Sequence, residues 1–223
     1  FAHDWELERA EGEFARVIEL DPTSPFGHIN YALLLANLSR HGEAIRESEI
    51  ARRLDPLSTP VSTWAAAILA MAGRAREGID ALEEIVTRDE GAWQPRLWLS
   101  EAYSHAARRS DAISAAERAV ELAQRLGVTM ANLACAYYLG GRSEDGGRIL
   151  SELEERARTG YISPALLAWV HVARGAVDEA VPLAERAYEE GDPGFLWSAS
   201  NPPGMRFEDP RLLAILKRTG LTA

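Results

Sequence analysis

The sequence predicts an all-α solenoid of antiparallel helix pairs, and three observations carry that prediction. A column of small residues, Ala10, Ala44, Gly78, Ala112, Gly146 and Ala180, recurs every 34 residues without a slip. From the second copy onward the residue before it is acidic: Glu43, Glu77, Asp111, Asp145 and Glu179. Between these markers, apolar residues fall at helical spacing and are interrupted by Pro and Gly at regular points, as in Pro25–Ser58, where two amphipathic patterns break near Ser39–Gly42 and close at Leu54-Asp55-Pro56. A fixed period of this length, with two helices in each period, marks a stacked repeat array, because one helix pair cannot bury its apolar face alone.

The elements follow in order. Phe1–Trp5 reads as the tail of a helix whose start lies upstream, since Phe1 shares a column with Leu35, Leu69, Tyr103 and Tyr137, and the chain is expected to be a fragment. Leu7–Leu20 is the next helix and stops at Asp21-Pro22, because proline cannot continue a helix and biases the residue before it away from the α region. Pro56 repeats that stop. The second repeat pairs Pro60–Met71 with Ala75–Thr87, with Thr59 expected as N-cap and Gly73 at the turn. The third pairs Gln94–Ala106 with Ser110–Leu126. The fourth pairs Thr129–Leu139 with Ser143–Ala157 across Gly140-Gly141, and the fifth pairs Pro164–Ala173 with Val177–Glu190 across Gly175.

Two columns should set the packing. Ala32, Ala66, Ser100, Ala134 and Ala168 allow close helix crossings, as does the Ala10–Ala180 column, while Tyr31, Leu99, Leu133, Leu167, Phe14, Leu82 and Leu150 fill the space between helices. Ser48 departs from the Phe14/Leu82 column, and Glu90, Gln124 and Arg158 replace the terminal proline, so those ends are expected to be looser. The period fails after Gly191. Residues 1–194 are therefore one array, a truncated first repeat and five full ones. Residues 195–223 are read as a cap, with an apolar patch at Phe195–Trp197, a turn at Asn201–Gly204, and a short helix from Asp209-Pro210 carrying Leu212, Leu213, Ile215 and Leu216.

Composition narrows the function classes. The net charge of −10 argues against binding a phosphate backbone, which needs a basic face. A single cysteine, Cys135, excludes an internal disulfide framework and fits a reducing, cytoplasmic setting. No apolar run approaches the roughly 18 residues of a membrane span. There is no glycine-rich phosphate loop, no HExxH and no cysteine pair, and His3, His28, His41, His105 and His171 have no metal-ligand spacing. His171 falls in the Tyr103/Tyr137 column and reads as a packed histidine, Cys135 as a small apolar filler, and Glu152, Glu154 and Glu155 as a solvated face. No catalytic residue, metal or cofactor is expected.

The period and the columns resemble tetratricopeptide repeat (TPR) proteins, and this resemblance covers the whole chain. It implies a right-handed superhelix whose first helices line a concave groove. More narrowly, Tyr161-Ile-Ser-Pro164, Ala187–Pro193 and Asp209–Leu221 resemble a bacterial TPR type found C-terminal to winged-helix regulators, nucleotide cyclases and Ser/Thr protein kinases. Gly191, Ser200–Gly204 and the absence of a basic residue near Met205 depart from that type, and no effector motif is present.

If the first helices line a groove, its columns read Asn30, Trp64, Trp98, Asn132, Leu166; then Leu33, Ala67, Glu101, Cys135, Trp169; then Asn37, Met71, His105, Leu139, Ala173. The candidate partner-binding residues are Asn30, Asn37, Trp64, Met71, Trp98, Glu101, His105, Asn132, Tyr138 and Trp169. Tryptophan dominates binding hot spots, and asparagine hydrogen-bonds a peptide backbone as donor and acceptor. The alternative for Trp64 and Trp98 is ordinary inter-helix packing. Arg96 is the only Lys or Arg on the expected first helices, which disfavours a clamp for a peptide carboxylate and favours a hydrophobic, polar or mildly basic target. The expected function is a non-catalytic module that binds a protein or peptide, as the regulatory part of a larger signalling protein. The alternatives are a self-association module that forms a homodimer, or the non-catalytic fragment of an enzyme.

Overall fold

The computed structural model describes residues 6–197 and 207–221. The expected helix tail at Phe1–Trp5 and the turn at Asn201–Gly204 lie outside the described residues. Among those described, the chain is all-α: α1 (Leu7–Leu20), α2 (Pro25–Asn37), α3 (His41–Leu54), α4 (Thr59–Met71), α5 (Ala75–Arg88), α6 (Gln94–His105), α7 (Arg109–Leu122), α8 (Gly127–Leu139), α9 (Ser143–Thr159), α10 (Pro164–Ala173), α11 (Val177–Glu189), a 3₁₀ turn (Pro193–Trp197) and α12 (Pro210–Arg218).

Three of the first helices start where serine and proline define a cap. Ser24, Ser58 and Ser163 accept hydrogen bonds from the backbone N–H of Gly27, Val61 and Leu166, with proline in the first two helical positions. The N-cap of α4 is thus Ser58, not Thr59: Ser58 is extended (φ −67°, ψ 112°) and its Oγ reaches Val61 N at 3.4 Å. Thr59 instead begins the helix and donates from Oγ1 to Asp89 Oδ2 at 2.9 Å, tying α4 to the end of α5. Asp192 does a similar job in the last repeat. It is 2% exposed, accepts from Ser163 Oγ (2.6 Å) and Ala165 N (3.1 Å), and so places a carboxylate at the positive end of α10.

Inside each repeat the turn is left-handed at one position. Ser39, Gly73, Ala107, Gly141 and Gly175, spaced by 34, have φ of 57°, 79°, 56°, 80° and 81°. Glycine takes this conformation without cost, whereas Ser39 and Ala107 are strained there. Four of the second helices start alike. Arg40, Arg74, Arg108 and Arg142 sit at the N-cap, and each pairs with the acid three residues on, Glu43, Glu77, Asp111 and Asp145. In the third and fourth repeats the guanidinium also lies over a tyrosine ring (Arg108 on Tyr103, 4.2 Å; Arg142 on Tyr137, 4.4 Å). Those tyrosines donate back to the preceding repeat, to Glu83 (2.6 Å) and Glu117 (2.8 Å).

The small columns meet the crossings. Ala32, Ala66, Ser100, Ala134 and Ala168 are all at most 2% exposed. A Cβ on Gly78 would stand 2.8 Å from Ala66 O, and one on Gly146 would stand 2.9 Å from the Tyr138 ring. Ser48, in the column of Phe14, Leu82 and Leu150, is 2% exposed and donates to Ile45 O within its own helix. The helix expected over Ser110–Leu126 stops at Leu122, because Gln124 and Arg125 turn left-handed (φ 49° and 61°) where the first repeats end on Asp-Pro, and α8 accordingly starts at Gly127.

Successive first helices touch: α2 with α4, α4 with α6, α6 with α8, and α8 with α10. Successive second helices make at most marginal contact. A layer whose members touch lies on the inside of the bend, so the first helices form the inner wall. The bend brings the two ends of the array together. The core running from α7 to α12 takes in Leu7, Ala10 and Leu34, and a Cβ on Gly220 would lie 3.1 Å from Leu7 Cδ1. The tail caps the last pair: Phe195 and Phe207 meet edge-to-face at 5.6 Å, and Leu212, Leu216 and Leu221 are at most 1% exposed.

Candidate interaction site on the inner wall

On α6, Gln94, Leu97, Trp98 and Glu101 fall at helical spacing of three and four, so they share one face. That face lines a pocket of about 150 Å³ together with Trp64 of α4, Trp93 at the N-cap of α6, Val128 of α8 and Trp169 of α10. Trp64 and Trp98 meet at 5.2 Å between ring centroids with planes at 63°, an edge-to-face pair. Trp64 and Trp93 are half-buried, while Trp98 and Trp169 are 9% and 4% exposed. Residues from different repeats therefore converge on one box of four indoles.

Among the described residues, Glu101 is the only carboxylate in that lining. Burial among apolar groups pushes it up to about 8. Its charge reaches the thiol of Cys135 on α8, which burial has already raised far above the usual cysteine range. Cys135 is fully buried, which fits a packing role and removes the thiolate a reactive site needs.

The remaining sequence candidates are dispersed. Asn30 is exposed on α2. Asn37 is 4% exposed and donates from Nδ2 to Leu33 O at 2.8 Å, leaving Oδ1 with no partner. Asn132, in the column of Trp64 and Trp98, is 6% exposed and its Oδ1 also has none. Met71 is half-buried beside the core of the first two repeats. His105 is exposed and lines a separate cleft of about 160 Å³ with Leu139 and Gly140. Tyr138 packs its ring over Gly146 of α9, within its own repeat. The box thus unites four of the candidates, Trp64, Trp98, Glu101 and Trp169, and adds Trp93, Gln94, Leu97 and Val128. The added α6 residues were findable, since their spacing matches Trp98 and Glu101.

Two other histidines are structural in their contacts. His28 bridges Glu47 Oε2 (2.7 Å) and Pro22 O (3.0 Å). His171 is 6% exposed, 3.5 Å from Glu154, and burial lowers its basicity. Among the described residues no cluster of three or more His, Cys, Asp and Glu comes together to hold a metal, and no helix is long and apolar enough to cross a membrane.

No family model matches the sequence, and no curated protein matches it either. Solved structures do match in fold. A tetratricopeptide repeat protein from Parabacteroides merdae superposes with a TM-score of 0.65 at 11% identity, over 96% of this chain and 78% of that one. A thermophilic TPR protein from Thermus thermophilus gives 0.62 at 19% identity over 79% of this chain and 97% of that one. MamA from Desulfovibrio magneticus gives 0.54 at 18% identity over 69% and 86%. With the helix order and the repeated columns, these likenesses establish the fold: an all-α TPR solenoid.

Proposed function

We propose that the chain is a non-catalytic interaction module that holds a peptide segment or a partner domain on its inner wall, anchored on the tryptophan box. The observation that carries this reading is the convergence of Trp64, Trp98 and Trp169, from three repeats, on one solvent-reaching pocket. Core packing alone does not require four indoles around a cavity, whereas a protein-binding hot spot is built from such side chains. Asn30 and Asn132 flank the box in the Trp64/Trp98 column and would set the register of a bound backbone. The resemblance of the sequence to arrays that follow effector domains supports a regulatory role within a larger signalling protein.

The test is selection of linear peptides displayed on phage against the chain, followed by rebinding to a Trp64→Ala variant with an unchanged melting transition. Peptides that bind the parent and lose affinity on the variant support the reading. Selected peptides that bind both equally place recognition elsewhere and refute it. Self-association is the second reading. It is favoured by Leu20, Phe26, Leu54 and Leu57, apolar side chains 69%, 55%, 38% and 80% exposed, at or beside the ends and starts of successive helices in the first repeats. Light scattering over a concentration series decides it, since only that reading requires a dimer.

A further inference from the structure

The tryptophan box contains a chemical asymmetry that a purely apolar pocket lacks. Among the described residues its wall is four indoles with Leu97, Val128 and Gln94, and its one charged group is Glu101. A carboxyl in such surroundings holds its charge more readily when a cation enters. Indole faces attract cations too, most strongly where water is excluded. The chain as a whole carries a net charge of −10, which also favours a basic ligand. Arg96, the only Lys or Arg on the first helices from α2 to α10, is 8% exposed and donates to Ala92 O at 2.7 Å.

We propose that the box is the binding site for a lysine side chain of the partner peptide, its alkyl stem against Leu97 and Val128, its ammonium over the indole faces and paired with Glu101. Resting on the groove reading above, this names the chemistry recognised there. Lysine fits better than arginine. A carboxylate pairs with either cation, but lysine brings a longer apolar stem for Leu97 and Val128 and a compact ammonium that needs less room in a pocket of about 150 Å³.

The experiment uses the whole chain and three pentapeptides, acetyl-Gly-Gly-X-Gly-Gly-amide with X as lysine, norleucine or arginine, followed by indole fluorescence, with n-butylammonium as the free amine. The expected result is saturable binding of the lysine peptide, at least about tenfold weaker binding of norleucine, and a loss of about tenfold or more on Glu101→Gln. Glu101→Gln keeps the side-chain shape, and a second variant, Trp64→Phe, should weaken lysine binding while leaving the melting transition in place. Equal binding of lysine and norleucine overturns the proposal and leaves an apolar pocket, in which case the phage-selected peptides still bind. Tighter binding of arginine overturns the choice of lysine, and n-butylammonium binding as tightly as the peptide overturns the peptide source. No binding of the lysine peptide at millimolar concentration overturns the proposal as well. Failure of the groove reading itself shows separately, as selected peptides indifferent to Trp64→Ala.

Discussion

On α8, nine consecutive residues from Thr129 to Tyr137 are buried, whereas on its partner α9, only Gly146, Leu150 and Leu153 are buried among seventeen. The same contrast holds along the array: α10 buries every residue from Pro164 to His171, and α11 buries only Ala180, Ala184 and Ala187. A first helix is packed by its own partner, by the second helix of the preceding repeat and by neighbouring first helices, so little of its surface meets water. A second helix lies on the outside of the bend and contributes one stripe of side chains to the core. The difference separates two kinds of constraint. The outer layer is specified by a small residue in every repeat and, in four of them, by an N-terminal arginine paired with an acid. The inner layer varies in chemistry along a column, as in Asn30, Trp64, Trp98, Asn132 and Leu166, of which Trp64 and Trp98 line the pocket.

The contrast is broken most severely at the outer layer's buried stripe. Leu82 of α5 is fully buried, and Leu82→Ala should lower stability by about 2–5 kcal/mol, while Leu57→Ala, at an 80% exposed side chain, should stay within about 0.5 kcal/mol. Denaturant unfolding of both variants checks the pair.

Next in size is a pH effect confined to the inner layer. Glu101 has a folded pKa of about 8 against a reference of 4.5, so between those values the folded state holds a proton that the unfolded state has released. Stability therefore falls as pH rises through that window, by at most about 1.4 kcal/mol per pH unit from this group. Glu101 is only half-buried, so the realised slope is smaller. Glu101→Gln should flatten the slope and gain stability above pH 8, which thermal unfolding from pH 5 to 9 measures. A variant with the parent's slope would show that its carboxyl is well solvated.

The smallest effect sharpens the account of the turns. Ala107 holds φ 56° where three other repeats have glycine, so Ala107→Gly should stabilise by up to about 1 kcal/mol, the reverse of the usual cost of glycine. Ala106→Gly, one residue earlier at φ −82°, should not stabilise. Differential scanning calorimetry of the two variants makes the comparison.

Much of the fold was legible because its causes are local and periodic. The small column set the register, proline marked the starts of α2, α4 and α10, and Gly73, Gly141 and Gly175 marked the turns. Where a repeat solved the same problem with different residues, boundaries shifted, as at Gln124 and Arg125. The arginine column at Arg40, Arg74, Arg108 and Arg142 lies in plain view at the same period, three residues before the acids, but its role depends on knowing that it falls at an N-cap. The candidate site was partly legible for a related reason. Columns identify which residues share the inner wall, and so predicted Trp64, Trp98, Glu101 and Trp169. They do not give curvature. Only the tightness of the bend brings α4 and α10 to one pocket and α1 to α12, and it arises from side-chain volumes summed over many interfaces.

The most direct test of the division between the layers is an NMR titration with a peptide selected on the chain. The four indole N–H signals of Trp64, Trp93, Trp98 and Trp169 should move together with a single dissociation constant, while the backbone amides of α5, α7, α9 and α11 stay in place. Largest shifts on those second helices, with the four indoles unmoved, would contradict the account.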